Sequence, residues 1–323
     1  MRTTLTIRFP KDYQLARDFC SYGYFLLEPN HWEPETQTVS RVLNLEGGPA
    51  HVEIVQTTIK PEPKLRARFD RSLTRPEQAE ARQKISRMLS LDVTHDEIKA
   101  FHKVDPRWTR AAGGAGRGRL SRSPTLFEDI VKTVTSCNVA WPSTINMNRR
   151  LCEVLGTKSD NGHHAFPTPQ KLARTRPGTL RARCRVGYRD QRLIDLAKLY
   201  NKGEICETWL TADSTTDDEA FKFLLTLPGV GPYAAGNIMQ LLGRFSRLAL
   251  DSESVRHGKA VLGLTGKDTA ILKRMTAHYE PFGEHKFRSY WFEIWAWYEI
   301  KAGKSWTWEK KKTASSFTAA KLK

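Results

Sequence analysis

The sequence has little cysteine and no long apolar segment. Its 323 residues include five cysteines, and none of them forms a Cys-x-x-Cys pair. An odd number of scattered cysteines argues against a disulfide framework and against a zinc or iron–sulfur site built from clustered thiolates. No run of about 18 apolar residues exists to form a membrane-spanning helix, and the N-terminal segment lacks the apolar region of a secretory signal. We therefore expect an intracellular protein that does not interact with membranes.

Acidic residues are too few to balance the basic ones. The chain has 52 Lys and Arg against 35 Asp and Glu, which gives a formal net charge of +17. Apolar residues make up 39% of the chain, enough to build a core, and the length predicts two or three domains. A basic intracellular protein favours a polyanionic partner, and nucleic acid before a membrane surface.

The pattern of apolar residues and turn signals predicts an α+β fold with four segments. Residues 1–105 are expected to form an α/β domain with an antiparallel sheet, its strands at residues 3–9, 39–45, 50–58 and 64–70. Residues 106–122 form a basic Gly/Arg loop, residues 123–300 a mostly helical two-subdomain core, and residues 301–323 a lysine-rich tail expected to fray. Beyond residue 123, helices are expected at residues 124–137, 143–155, 189–201, 217–226, 232–243, 252–262, 268–279 and 285–301.

One short motif connects two of these helices. Between residues 217–226 and a helix that begins at Pro232 lie Leu227, Pro228, Gly229, Val230 and Gly231. The proline ends the first helix, and the two glycines permit a tight turn whose backbone amides are not covered by a Cβ. Amides exposed in this way at a helix N-terminus can bind a phosphate without reading base sequence. The alternative is a generic αα-hairpin, which needs only a Gly-rich turn. The motif extends beyond such a turn, and this favours binding to the DNA backbone.

The hairpin and the residues around it resemble the helix–hairpin–helix (HhH-GPD) superfamily of DNA glycosylases. Nineteen residues after Pro232 stands Asp251, where the family has its catalytic aspartate. Residues 123–138 resemble the family's first core helix, and residues 186–189 resemble the Gly-Tyr-Arg signature of the 8-oxoguanine branch. The N-terminal sheet is similar to the extra domain of the 8-oxoguanine and 3-methyladenine glycosylase II branches.

The resemblance implies roles for individual residues. It makes Asp251 the catalytic carboxylate, Asn138 a contact to the orphan base, Tyr188 a wedge inserted into the duplex, and Arg189 a contact to the opposite base. A flat tyrosine in an arginine-rich run also suits intercalation by its chemistry. The alternatives are a polar helix end for Asn138 and a half-buried helix-start aromatic for Tyr188.

Two positions depart from the family pattern. Leu250 precedes Asp251, where the family usually has a nearby proline. Tyr233 stands where bifunctional members have a lysine nucleophile, and without an amine no Schiff base to the sugar forms there. The sequence thus predicts a monofunctional glycosylase. The alternatives are a glycosylase/lyase that uses another lysine, such as Lys132, and a non-catalytic helix–hairpin–helix DNA-binding protein.

Asp251 has a local setting that suits the chemistry. Cleavage of an N-glycosidic bond builds positive charge on the sugar, which a carboxylate can stabilise while it orients the attacking water. Asp251 precedes a predicted helix, so the alternative role for its side chain is that of a helix N-cap.

A base extruded from the duplex is held by stacking on aromatic side chains. The candidates for this base pocket are Trp141, Tyr233, Trp291 and Trp295. An electron-rich aromatic pocket favours a cationic alkylated purine as the substrate. The resemblance to the Gly-Tyr-Arg signature favours an oxidised purine instead.

The expected partner is double-stranded DNA that contains a damaged base. Three basic segments are expected to neutralise phosphates near the hairpin, namely residues 107–122, residues 174–192 and the lysine tail. No nucleotide-binding glycine loop is present, so no cofactor is predicted, although the hairpin carbonyls leave room for a structural monovalent or divalent cation. We expect a monomer located with the DNA of the cell.

Overall fold

The N-terminal part of the chain forms a five-stranded antiparallel sheet. In the computed structural model, which describes residues 2–57 and 63–309, the strands lie in the order β1-β5-β4-β3-β2. The bounds are β1 (Thr4–Ile7), β2 (His31–Glu33), β3 (Thr38–Leu45), β4 (Gly48–Thr57) and β5 (Lys64–Phe69). This sheet confirms the α+β prediction, and Thr58, the expected end of one strand, lies outside the described residues.

Period-2 alternation accounts for the strands that were predicted. In β5 the side chains of Leu65, Ala67 and Phe69 are buried, and the residues between them are exposed. The short edge strand β2 was not predicted, because three residues are too few to show an alternation. It pairs antiparallel with β3.

Helices make up most of the remaining described chain. They are α1 (Leu15–Phe19), α2 (Arg75–Met88), α3 (His95–Val104), α4 (Leu126–Ser136), α5 (Trp141–Leu155), α6 (Pro169–Ala173), α7 (Pro177–Thr179), α8 (Asp190–Asn201), α9 (Glu207–Thr211), α10 (Asp217–Leu225), α11 (Pro232–Leu241), α12 (Ser252–Ala260), α13 (Asp268–Tyr279) and α14 (Lys286–Ala302). The long helices expected after residue 123 are present, with ends within a few residues of those predicted. No helix among the described residues is long and apolar enough to span a bilayer.

Two large apolar clusters hold the elements together. One joins the sheet and α2 to the last three helices, where it includes Val255 of α12, Met275 of α13 and Trp295 of α14. The other is built by the central helices, with Leu151 and Ile238 among its members. The last three helices therefore share an apolar cluster with the N-terminal sheet, although they follow the central helices in sequence. The division of the chain at residues 105 and 123 stays a prediction.

The second half of the basic loop runs through the protein interior. Arg117, Arg119 and Arg122 are buried there, although the sequence predicted an exposed loop that neutralises DNA phosphates. Their guanidinium groups pair with carboxylates, Arg117 with Glu299 at 2.6 Å and Arg119 with Asp12 at 2.6 Å. The prediction of phosphate contacts is wrong for these three arginines, because a buried cation must be paired inside the protein.

The start of the C-terminal tail is packed against the rest of the molecule. The backbone oxygen of Trp306 accepts a hydrogen bond from the indole nitrogen of Trp32 at 2.7 Å. Trp308 is buried, and its ring lies 5.3 Å from that of Trp295. The expectation that the tail frays is therefore wrong for residues 301–309, whose aromatic side chains complete the apolar cluster. The rest of the tail lies outside the described residues.

Candidate active site

The predicted hairpin is present between α10 and α11. A capping box formed by Thr216 and Glu219 starts α10. The turn that follows places Gly229 at φ +82°, in the left-handed region that glycine tolerates best. Gly231 is the N-cap of α11, and Pro232 is its first residue. The end of α10 and the start of α11 therefore lie where the sequence predicted them.

The hairpin is anchored by buried side chains and exposes part of its backbone to solvent. Leu227 and Val230 are buried in the apolar cluster of the central helices, and the amide of Val230 donates to the backbone oxygen of Leu227 at 3.1 Å. Pro228 and Gly229 are half-buried, and Gly231 is exposed with no atom near the position of a Cβ. The turn thus presents backbone to solvent on a rigid support, as phosphate binding requires.

Asp251 is the N-cap of α12. One of its oxygens, Oδ1, accepts hydrogen bonds from the backbone amides of Glu253 and Ser254, both at 3.0 Å, and from the Ser254 hydroxyl at 3.1 Å. All three of these bonds go to Oδ1. The capping role that the sequence offered as an alternative is therefore real, and it orients the carboxyl group without engaging Oδ2.

Burial and hydrogen bonding act on the Asp251 carboxyl in opposite directions. Burial raises its pKa above the usual range, because removal of water disfavours the charged form. Hydrogen bonds from Ser254, from the amide of Glu253 and from the Tyr233 hydroxyl lower it. The result is a poorly solvated carboxylate held by directed donors.

Two further side chains, Ser254 and Tyr290, support this arrangement, and the sequence analysis gave neither of them this role. The Ser254 hydroxyl lies 2.5 Å from the Tyr290 hydroxyl, which also donates to the backbone oxygen of Ala249 at 3.4 Å. The hydroxyl of Tyr290, on α14, thereby connects both sides of Asp251. Only the Ser three residues after Asp251 is visible as a local capping signal.

A close backbone approach brings Asp251 next to the second hairpin helix. A Cβ at Gly236, in the middle of α11, would lie 2.8 Å from the backbone oxygen of Leu248. Only glycine lets the helix pass this near to the segment that leads to Asp251. Tyr233 precedes Gly236 by about one helical turn and reaches the Asp251 carboxyl. Its pKa is raised well above the usual range by burial and by the nearby Asp251.

Aromatic side chains surround this part of the molecule. Tyr22 lies 4.7 Å, between ring centroids, from both Tyr24 and Trp291. The Tyr22 hydroxyl donates to Asn237 of α11 at 2.9 Å. Trp141 packs against the same cluster. The sequence proposed Trp141, Tyr233 and Trp291, but it did not point to Tyr22 and Tyr24, because these residues lie more than 200 positions before the hairpin.

Known structures share this arrangement of sheet and helices. No protein-family model matches the sequence, and no curated protein matches it. The 8-oxoguanine glycosylase/lyase of Clostridium acetobutylicum, in its apo form, has a TM-score of 0.66 at 19% identity, over 91% of this chain and 98% of that one. The 3-methyladenine DNA glycosylase of Archaeoglobus fulgidus has a TM-score of 0.64 at 17% identity, over 91% and 97%.

This chain has the helix–hairpin–helix DNA glycosylase fold. A further match is the Clostridium enzyme in complex with double-stranded DNA that contains cytosine opposite 8-oxoguanine. It has a TM-score of 0.65 at 19% identity, over 94% of this chain and 98% of that one.

Within the glycosylase fold, the residues proposed for the wedge lie together beside the hairpin. Tyr188 is 52% exposed, which is high for an aromatic side chain. Asn138 follows the end of α4, is exposed, and has φ +53° in the left-handed region. Both side chains are thus available to a duplex, as the wedge and orphan-base hypotheses require.

Arg189 is placed differently from the expectation. It is 4% exposed, and its guanidinium donates to the backbone oxygens of Val134 at 3.1 Å, Val186 at 3.3 Å and Cys137. These bonds hold the end of α4, immediately before Asn138. The predicted contact of Arg189 with the opposite base does not fit this placement, because the guanidinium is already occupied by protein carbonyls.

Two other side chains are also more deeply placed than the sequence suggested. Trp295 is 2% exposed, and its indole nitrogen donates to the backbone oxygen of Cys20 at 3.1 Å, so it belongs to the core and not to an open pocket. Lys132 is fully buried and pairs with Glu128 at 2.7 Å. Burial lowers the pKa of Lys132. An amine enclosed in this way cannot reach a deoxyribose without opening the core.

Proposed function

We propose that this protein is a monofunctional DNA glycosylase. It would extrude a damaged purine, alkylated or oxidised, from duplex DNA and hydrolyse the N-glycosidic bond, the first step of base excision repair. The observation that carries the proposal is the position of Asp251, a half-buried carboxyl oriented by a helix cap beside both the hairpin and an aromatic cluster.

The carboxylate is suited to the charge that develops in the reaction. As the bond to the base breaks, positive charge grows on the sugar, and a fixed negative charge nearby stabilises the transition state without reorganisation. Its Oδ1 is held by the cap, which fixes the carboxylate in a position to orient and deprotonate the attacking water. The cap and the proposed chemistry thus depend on the same side chain.

In this proposal, the hairpin binds the DNA backbone. Gly229 and Gly231 bring backbone to the surface between two anchored helices, and such a turn binds phosphate irrespective of sequence. Binding through phosphates falls steeply as salt increases. Specificity for damage must therefore come from the site around Asp251.

The aromatic cluster is the candidate base pocket. An extruded base is recognised by stacking between aromatic side chains and by hydrogen bonds to its edge. Trp141 and Trp291 are half-buried and provide ring faces, which pack against the buried rings of Tyr22 and Tyr24. Tyr22 connects this cluster to Asp251, because its pKa is raised by burial and also by the charge of Asp251. Similar structures include enzymes named for 8-oxoguanine and for 3-methyladenine, so both purine classes belong in the test.

The absence of an amine at position 233 supports the monofunctional assignment. Tyr233 occupies the place of the family's lysine, and a phenol forms no Schiff base with the sugar. Lys132, the alternative nucleophile considered from the sequence, is enclosed in an ion pair.

A panel of duplexes tests the proposal. Each duplex carries one lesion (an alkylated purine, 8-oxoguanine, hypoxanthine or uracil), and base release and strand scission are measured separately. The proposal predicts release from at least one purine lesion and scission only after alkali. Absence of release from all lesions would favour a non-catalytic DNA-binding protein, whereas alkali-independent scission with borohydride trapping would establish a lyase.

A further inference from the structure

Arg192 lies between the hairpin and the exposed tyrosine. It is on the first turn of α8, and its guanidinium carbon is 4.9 Å from the centre of the Tyr188 ring. Its aliphatic part contacts the hairpin turn, since a Cβ at Gly229 would lie 3.1 Å from Arg192 Cδ. One exposed side chain therefore contacts both the turn proposed to bind phosphate and the ring proposed to enter the duplex.

The guanidinium of Arg192 has no carboxylate partner among the described residues. The two acids of its own helix are engaged elsewhere, Asp190 with Arg181 at 2.6 Å and Asp195 with Gln191 at 2.8 Å. An exposed arginine held over an aromatic ring, with no acid to neutralise it, keeps its full charge for an external anion.

Arg189 provides the contrast within the same segment. Its guanidinium also lies over the Tyr188 ring, at 4.4 Å, but it is buried and bonded to three backbone oxygens. The two arginines therefore have different tasks. Arg189 positions the turn before Asn138, and Arg192 faces solvent.

We infer that Arg192 binds a phosphate of the DNA backbone between the hairpin and Tyr188. The inference rests on the proposed function only in that the ligand is duplex DNA. The neighbouring hairpin amides are proposed to hold the backbone of a strand there, and the Tyr188 ring covers one side of the guanidinium. A phosphate contact at this point would hold the backbone beside the wedge without reading the base opposite the lesion.

The test compares Arg192→Gln with Arg192→Lys and with Lys273→Gln. Lys273 is an exposed residue on α13, and its replacement removes the same single charge from a helix that belongs to the apolar cluster of the N-terminal sheet. Each full-length variant is first shown to have the wild-type melting temperature. Its dissociation constant is then measured on undamaged duplexes over a salt series, with each of the four bases opposite a stable abasic-site analogue as a second set.

The expected result is a uniform loss for Arg192→Gln. Affinity should fall roughly three- to tenfold at physiological salt, and the slope of log K against log salt should decrease by about 0.9. The loss should be the same for all opposite bases, Arg192→Lys should restore most of it, and Lys273→Gln should behave as wild type. Equal behaviour of Arg192→Gln and Lys273→Gln, or a loss confined to one opposite base, would overturn the inference. Because these measurements need no catalysis, they stand whether or not the protein releases a base.

Discussion

Gly236 and Leu248 bring the backbone of the second hairpin helix close to the segment that leads to Asp251. A Cβ at Gly236 would lie 2.8 Å from the Leu248 oxygen and 3.2 Å from the Cα of Ala249. The neighbours are backbone atoms, which cannot swing aside as a flexible side chain can. This contact sets the distance between the hairpin, which is proposed to hold the DNA, and the carboxylate proposed to act on it.

Replacement of Gly236 by alanine should displace that segment. We expect the free energy of unfolding to fall by about 1–3 kcal/mol, as for overpacking elsewhere, and single-turnover base release to slow more than DNA affinity weakens. Chemical denaturation and single-turnover kinetics measure the two effects. Gly178→Ala is the control, since a Cβ there meets nothing within 4 Å. Unchanged release in a variant that has lost stability would show that the approach does not position Asp251.

Tyr233 should affect the pH dependence of base release. Its hydroxyl lowers the pKa of Asp251, against the rise caused by burial. Tyr233→Phe removes that hydrogen bond, so the pKa of Asp251 should rise. Because the carboxylate form is the active one, the acidic limb of the rate profile should move to higher pH. The profile is measured under single-turnover conditions, with Tyr200→Phe as the control. An unshifted limb would show that Tyr233 does not act on the carboxyl.

The same position offers a gain-of-function test. Tyr233→Lys introduces an amine next to the site proposed for the sugar, and an amine can attack the deoxyribose carbon to form a Schiff base. We expect borohydride to trap a covalent complex on abasic DNA, and strand scission to appear without alkali. Tyr233→Met, which has no amine, should give neither product. Failure to trap a folded Tyr233→Lys protein would mean that position 233 does not face the sugar.

The internal ion pairs of the basic loop should matter for stability and not for DNA. Arg119 is 1% exposed and is bonded to Asp12 and to the backbone oxygen of Val93. Its replacement by methionine removes the arginine partner of the Asp12 carboxylate, which keeps His95 at 3.1 Å, and should cost about 3 kcal/mol of unfolding free energy. DNA affinity, measured where the variant is still folded, should stay at the wild-type value. A loss of DNA affinity in a variant of unchanged stability would instead show that this segment contacts DNA.

Local signals in the sequence predicted much of the fold. The end of α10 before Pro228, the start of α11 at Pro232 and the alternation in β5 depend on neighbours a few residues apart, so they can be recognised in the sequence. The hairpin and the location of Asp251 at a helix start follow from the same short-range information.

Long-range contacts could not be predicted in this way. Arg119 and Arg192 both stand in basic, glycine-containing surroundings, yet one is buried beside Asp12 and the other is exposed. Tyr22, which follows α1, meets Asn237 because the N-terminal segment folds back onto α11. The family resemblance made Arg189 a DNA contact, whereas two of the carbonyls that accept its hydrogen bonds belong to α4 and the turn after it, more than 50 positions away in the sequence. Charge and residue type do not reveal such partners.

The measurement that tests the account most directly is base release by Asp251→Asn. Asparagine is also a good N-cap, so α12 should keep its start while the negative charge is lost. On the lesion that the wild type releases best, we predict that the single-turnover rate falls by at least about 10²-fold, with the dissociation constant for the same duplex within about twofold of wild type, since the hairpin is untouched. A variant that releases the base at close to the wild-type rate, or that loses DNA affinity in step with activity, would contradict a catalytic role for Asp251.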